Sequence, residues 1–499
     1  MKLKIKNFEW LAGRPVVFLN NETAKKLNVH VDERVSITDS HPKKIYAVVD
    51  ILEKLVKTGE IGLSNEISRI LNKKSGHVVE VSPSEMSVAG RLIKKKFAGQ
   101  RLNEEEFRIL INEIVSNDLT EAEIAYFAAA EKLKGMSMKE IIYLTEAMVN
   151  SGKKLNFHKK IVADKHCVGG IAGNRTTPIA VSICASAGLT IPKTSSRAIT
   201  SASGTADVIE TLSNVEFSAE DLKKIVEKTN ACLAWGGSLG LAPSDDKIIH
   251  VERLLNLDVE PQLLASIVSK KIAAGSNHIL IDIPYGPGAK FDSKLDAEKL
   301  GKKFKELGNH FNVKIKILAT DGKQPIGNGI GPVLEMKDIV AVLKNEKNAP
   351  QDLREKSIFL ASELMAICGI KNSKSLAREI LISGKAYEKF REIINIQNKK
   401  PANSNDIEKR IKNLKTAKFS KIILAEKSGK IISIDNKSIN SICRILGTPE
   451  TISAGLYLHN HLGSVKKSEK LMTLYSESES KLKDALRFIK EFKPIIIKQ

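Results

Sequence analysis

The stretch from Ala163 to Glu210 constrains this chain more than any other. A short apolar run, Ile161-Val162-Ala163, leads into a turn-forming segment with Lys165, His166, Gly169, Gly170, Gly173, Asn174 and Arg175. An apolar segment from Pro178 to Ala187 follows and is stopped by Gly188. The order reads as strand, glycine-rich loop, helix. Glycines let backbone N–H groups approach an anion closely, and a helix start adds a positive dipole end. Lys165 and Arg175 are expected to supply full charges. A second polar loop, 193–205, holds Lys193, Arg197 and several Ser and Thr hydroxyls. Two such loops suggest two phosphate groups, or one phosphate and one sugar. An ordinary strand–helix turn with glycines for packing is the alternative.

A chain of 499 residues has room for three or four domains. Its apolar fraction of 42% permits a large core. Lys and Arg number 79 against 58 Asp and Glu, so the net charge is +21, which suits anionic ligands. Lysines are spread evenly and aromatics make up only 5%, which argues against nucleic acid as the partner. The five cysteines are scattered without a CxxC pair, so neither a disulfide framework nor a zinc site is expected. His158 with His166, and His459 with His461, lack a third ligand nearby, and no metal is expected. No run of about 18 apolar residues occurs, so no membrane span is expected. The start, MKLKIKNFEW, has no signal core, and the expected compartment is the cytoplasm.

The expected fold is α/β and multidomain. Residues 1–85 read as a small β-rich module, with strands at 16–19, 35–37 and 78–81 and a short helix at 21–27. Residues 86–155 read as a helical domain, joined by about 245–275. Phe107, Leu110, Ile111, Ile114 and Val115 fall on one helix face, and Asn103/Glu106, Thr120/Glu123 and Ser137/Glu140 have capping-box spacing. Residues 156–400 read as an α/β phosphate-binding domain with a mixed central sheet, its strands at 161–163, 189–191, 279–283 and 313–319. Residues 398–415 read as a polar linker, and 415–499 as an α+β domain ending in a helix at 479–492. Neither GxGxxG nor a Walker motif is present, so dinucleotide and P-loop readings are weak. Loops at strand C-termini are where such sheets bind ligands.

KHCVGGIAGNRTT resembles the phosphate loop of thymidine and pyrimidine-nucleoside phosphorylases, usually KHSxGGxGD. Ser203 to Asp207 resembles their GGTxD turn. Ala265-Ser266 with Lys270-Lys271 resembles their ASxxxKK helix, and DGKQPIGNGIGPVLE (321–335) their TDMxQPLGxxxGxxxE. Order and spacing hold over about residues 86–480. Cys167 in place of Ser, the longer AGNRTT, SSRAITS at 195–201 and the N-terminal module together resemble the archaeal AMP phosphorylase family. Ala202-Ser203 departs from that family's Pro-Ala.

That resemblance implies phosphorolysis of AMP, and of other nucleoside 5′-monophosphates such as CMP and UMP, to free base and ribose 1,5-bisphosphate. Phosphate is then a co-substrate, no cofactor is needed, and a homo-oligomer of at least a dimer is expected. It implies nucleotide contacts from Gly170, Ser196, Arg197, Ala198, Ile199, Thr200, Ser201, Thr205, Ser266 and Lys290. It implies phosphate contacts from Lys165, His166 and Thr205, and Asp258 as proton donor. Read from the residues alone, Asp258 could equally cap a helix ahead of Pro261-Gln262. His166 is a further candidate acid, or a structural histidine. Arg197 suits a bidentate grip on a 5′-phosphate, or is a surface charge. Cys167 is expected to be a spacer. A pyrimidine-nucleoside phosphorylase, or a noncatalytic nucleic-acid-binding or assembly protein, remains an alternative.

Overall fold

The computed structural model describes residues 1–39, 44–84, 87–198, 201–255 and 257–499. The chain divides into two compact units, Met1–Ser151 with Pro243–Ser266, and Gly152–Ala242 with Ile267–Gln499. Among the described residues, no helix is long and apolar enough to cross a membrane.

The first unit opens with strands β1 (Lys2–Asn7), β2 (Val16–Leu19), β3 (Arg34–Thr38), β4 (Ile45–Ile51), β5 (Glu60–Leu63) and β6 (Val78–Pro83). They close into a barrel in the order β1-β5-β2-β4-β3-β6, which leaves no free sheet edge. Alternate residues such as Leu3 and Ile5, Val35 and Ile37, and Val79 and Val81 fill one core, as a period of two requires. Helices α1 (Asn21–Leu27) and α2 (Asn65–Leu71) cover it.

A helical bundle follows: α3 (Val88–Phe97), α4 (Glu104–Val115), α5 (Glu121–Lys134) and α6 (Met138–Ser151). Phe107, Leu110, Ile111 and Ile114 are buried from α4 as their spacing predicts, and the capping boxes at Asn103/Glu106 and Thr120/Glu123 form. Segment Pro243–Ser266 returns to this bundle, burying Ile248, Val251 and Ala265 in the same core.

One feature of the bundle runs against its apolar core. Glu131 is fully buried, and neither carboxylate oxygen has a hydrogen-bond partner among the described residues. Burial, then Glu252, push this carboxyl well above its ordinary value, with Lys96 opposing and Glu140 adding to the rise. A carboxyl raised on folding holds its proton longer in the folded state. The stability this gives is complete below the unfolded value and is lost as pH climbs toward the folded one. Glu131→Gln is therefore expected to match the native protein below about pH 4 and to melt several degrees higher at pH 8, by thermal unfolding followed across that range.

The second unit carries β7 (Ala163–Cys167), α7 (Thr176–Ser186), β8 (Ile191–Ser195), α8 (Thr205–Glu210), α9 (Ala219–Thr229) and β9 (Ala231–Trp235). After α10 (Pro243–Leu254) and α11 (Glu260–Ala273) come β10 (His278–Tyr285), α12 (Lys294–His310), β11 (Lys314–Asp321), β12 (Gly329–Ile330) and α13 (Pro332–Leu343). Four helices close this region: α14 (Gln351–Ile367), α15 (Ser373–Ile382), α16 (Lys385–Gln397) and α17 (Asp406–Lys412). The ladders β11-β10-β7 and β8-β9 are parallel. Helix α7 is apolar nearly all round and buried along almost its whole length, which makes it a central core helix.

The polar stretch expected to be a linker holds α17, whose Ile407 is fully buried in the main core. The chain ends with β13 (Phe419–Leu424), β14 (Gly429–Ile434), α18 (Asn436–Leu446), β15 (Gly455–Leu458), β16 (Gly463–Val465), β17 (Lys470–Ser476), α19 (Glu479–Phe492) and β18 (Ile495–Lys498). These strands pair antiparallel, and β12 joins them through β15, so the unit holds both kinds of ladder.

Candidate active site

The first loop leaves β7 later than the apolar pattern suggests. The strand runs from Ala163 through Cys167, so Asp164, Lys165 and His166 are strand residues and not turn residues. β8 is displaced likewise, which puts Lys193 in a strand instead of the second loop. Both strands continue through charged residues because those charges are paired inside. Asp164, fully buried, lies 2.8 Å from Lys271 Nζ and 3.7 Å from Lys193 Nζ. Both lysines also donate to the Thr194 carbonyl. Burial, with Lys271 beside it, pushes the Lys193 amine down to about 7.

Lys165 is 1% exposed, and its ammonium donates to Thr176 Oγ1 at 2.8 Å and Thr177 Oγ1 at 3.2 Å. Those hydroxyls stand in the first turn of α7, where backbone N–H groups lack helical partners. Ammonium, hydroxyls and helix start together form a ready anion site. His166 is half-buried; burial, then Lys271, Lys193, Lys165 and Lys270, push its imidazole well below the ordinary value. It is therefore neutral at physiological pH and offers one N–H rather than a positive charge. Cys167 accepts from Asn174 Nδ2 at 3.5 Å, and burial raises its thiol, consistent with a spacer and not a nucleophile.

Gly170 adopts φ +94°, and a Cβ there would stand 2.6 Å from the Lys290 backbone nitrogen. Only glycine fits, and the close approach brings two expected nucleotide contacts, Gly170 and Lys290, side by side.

Arg175 does something other than face an anion. Its Nε meets Glu335 at 2.6 Å, one terminal nitrogen donates to Thr205 Oγ1 at 3.0 Å, and the other to the Ser203 carbonyl at 2.7 Å. Glu335, 1% exposed, also accepts from the Ser203 hydroxyl and from the Gly331 N–H at 3.1 Å. Burial raises this carboxyl, with Arg175 and then Ser203 opposing. Arg175 and Glu335 thus fasten the first loop to the second. Both lie inside quoted motifs, but nothing in the sequence signals that they pair.

In the second loop, Asp207 accepts from the Ala198 N–H at 2.8 Å and the Gly204 N–H at 2.7 Å. Ser201 Oγ donates to the Ser203 carbonyl at 2.8 Å, and Ser196 is exposed. The Arg197 guanidinium lies 2.8 Å from Glu210, 3.0 Å from Glu216 and 3.3 Å from Asp207, over the Trp235 ring at 4.8 Å. In this arrangement it is held by carboxylates and an aromatic face. Ile199 and Thr200 lie outside the described residues.

Asp258 and Ser266 belong to the first unit. Asp258 is exposed and lies ahead of Glu260, the first residue of α11, so it is not the residue directly before the helix. The Asp258 carbonyl accepts from Lys132 Nζ at 2.7 Å. Leu254 and Leu255, shortly before it, are exposed. Ser266 is buried and donates to Asp245 at 2.8 Å, while Gln262 donates to the other Asp245 oxygen at 2.9 Å.

Residues 91–152 match the family model described as "Glycosyl transferase family, helical bundle domain", and 159–387 match "Glycosyl transferase family, a/b domain". A helical bundle with an α/β anion-loop domain is thus the architecture of a glycosyl transferase. The AMP phosphorylase of Pyrococcus furiosus is 42% identical, with 100% of this chain and 98% of that one covered. The AMP phosphorylase of Thermococcus kodakarensis is 41% identical over the same shares. A Legionella pneumophila (strain Paris) protein carrying a provisional thymidine phosphorylase name is 40% identical over 94% of this chain and 89% of its own. The chain belongs to the AMP phosphorylase family. Among solved structures, anthranilate phosphoribosyltransferase from Thermus thermophilus shares the fold at a TM-score of 0.51 and 19% identity, covering 61% of this chain and 98% of that one.

Proposed function

We propose that this chain cleaves AMP with inorganic phosphate to adenine and ribose 1,5-bisphosphate, in nucleotide degradation, and accepts other nucleoside 5′-monophosphates such as CMP and UMP. The observation that carries this reading is the pair of anion loops locked together by Arg175 and Glu335, in a chain matched end to end by AMP phosphorylases. A substrate and co-substrate that each carry a phosphoryl group need two such loops. Phosphate is the co-substrate, and the chemistry calls for no other cofactor. The reading includes a cytoplasmic enzyme assembled at least as a dimer. It takes 1–85 as a β-rich N-terminal domain, 86–155 with about 245–275 as the helical domain, 156–400 as the phosphate-binding domain and 415–499 as an α+β C-terminal domain.

In the reaction, the bond from C1′ to the base nitrogen breaks and its electron pair leaves on the base. A phosphate oxygen forms the new bond to C1′, and Asp258 gives the base its proton. Lys165 with Thr176, Thr177 and the start of α7 orients the phosphate without consuming its nucleophilic oxygen. His166 contributes a neutral N–H donor beside it, and Thr205 completes the phosphate contacts. Gly170, Lys290, Ser266 and 196–201 take the nucleotide. Asp258→Asn is expected to lower kcat by about 10²–10⁴-fold, the range for loss of a general acid, with KM for phosphate little changed.

The carboxylate cage around Arg197 gives its role a specific form. The cage fixes the 196–198 backbone, and a 5′-phosphate would meet the guanidinium in exchange for a carboxylate. Arg197→Ala is expected to raise KM for AMP about tenfold or more, the scale of a charge-assisted hydrogen bond, while any turnover of the unphosphorylated nucleoside is unchanged. Equal losses on nucleotide and nucleoside would instead favour a nucleoside phosphorylase.

A further inference from the structure

The two anion loops are held from outside the phosphate-binding domain as well as by Arg175. Helix α18 approaches both. Asn436 Oδ1 accepts from the Ala172 N–H of the first loop at 3.0 Å, and its Nδ2 donates to the Gly322 carbonyl at 3.0 Å. Asn440, one helical turn on, accepts from the Ala202 N–H of the second loop at 3.0 Å. Residues at this spacing share a helix face. Asp435, which caps the helix, is so close to the loop before Lys290 that a Cβ at Gly288 would lie 2.6 Å from its carboxylate. Ala172 and Ala202 are themselves buried in the apolar core of the C-terminal strands and helices, with Ile439 and Ile442. Both asparagines are buried, Asn436 completely.

We propose that Asn436 and Asn440 are positioning residues, by which the C-terminal module sets the separation of the two anion loops and so selects a substrate that brings a second phosphoryl group. Each asparagine answers one loop N–H inside a dry contact, where loss of the acceptor leaves that N–H unsatisfied. A loop freed on one side shifts, and a shift of about an ångström is enough to cost roughly 10²-fold in a reaction that depends on placement. The inference rests on the functional reading above, in which 196–201 of the second loop takes the nucleotide and Lys165 with Thr176 and Thr177 of the first holds the phosphate.

The test is steady-state kinetics of the full-length protein and two variants, Asn436→Leu and Asn440→Leu, varying AMP and phosphate independently. Asn440→Leu is expected to raise KM for AMP about tenfold or more and leave KM for phosphate within a factor of about two. Asn436→Leu is expected to do the reverse. Asn440→Ser and Asn436→Ser, smaller and still able to accept, serve in the same assay if the leucine variants do not fold. Parallel effects on both substrates, or none, would overturn the positioning inference. Failure of the unaltered protein to release adenine from AMP would overturn the functional reading instead.

Discussion

Lys165→Met is expected to lower kcat/KM for AMP phosphorolysis by about 10³-fold or more, while the melting temperature stays unchanged or rises. The two halves of this expectation come from the same geometry. The ammonium is almost wholly buried and donates to two threonine hydroxyls. Burial lowers it from its ordinary value; Cys167, then Asp282, oppose that, while Lys356 and then Arg175 add to it. A buried cation without a full counter-charge is a cost to the folded state, and methionine of similar length removes that cost. What it cannot replace is the positive charge beside the first turn of α7. That charge is worth most in a dry site, where in the proposed reaction it would hold phosphate against a sugar that is itself turning cationic. Steady-state kinetics and thermal unfolding on the same preparation decide it. A loss below about tenfold would place the phosphate elsewhere.

Glu335→Leu is expected to destabilise the second unit by about 3–5 kcal/mol, because it leaves the Arg175 guanidinium buried and unpaired. The substitution also strands the Ser203 hydroxyl and the Gly331 N–H, both of which donate to Glu335. The double variant Arg175→Met with Glu335→Leu is expected to recover much of that stability, since removing both charges removes the desolvation cost of each. It is not expected to recover activity, because Thr205 and Ser203 lose the donors that tie the second loop to the first. Chemical denaturation of the three proteins alongside AMP turnover separates the two effects. Recovery of turnover in the double variant would mean that the staple serves folding alone.

Where the chain follows its own periodicity, the sequence was a good guide. Strand β2, helix α1 and helix α19 stand at their expected residues, because apolar alternation or a capped amphipathic face is enough to define each. Ser218 caps α9 by accepting from the Asp221 N–H, a local pairing of the same kind. The site itself was less legible, for a physical reason. Asp164, Lys165 and Lys193 are charged, so a reading by hydrophobicity ends each strand before them and places them in solvent-facing turns. Their partners, Lys271, Thr176 and Thr177, restore the balance only after the chain has folded. Arg175 was read as a charge for an anion because its partner, Glu335, is remote in sequence and met only through packing. The same holds for Asn436 and Asn440, two polar residues on a helix whose loop partners no local pattern identifies.

The most direct measurement of the central claim is base release from AMP, with and without inorganic phosphate, run beside thymidine under the same conditions. Adenine release that depends on phosphate, with ribose 1,5-bisphosphate as the second product and little or no release from thymidine, is the predicted result. Phosphate-dependent thymine release without cleavage of AMP would contradict it and assign the two loops to a nucleoside phosphorylase.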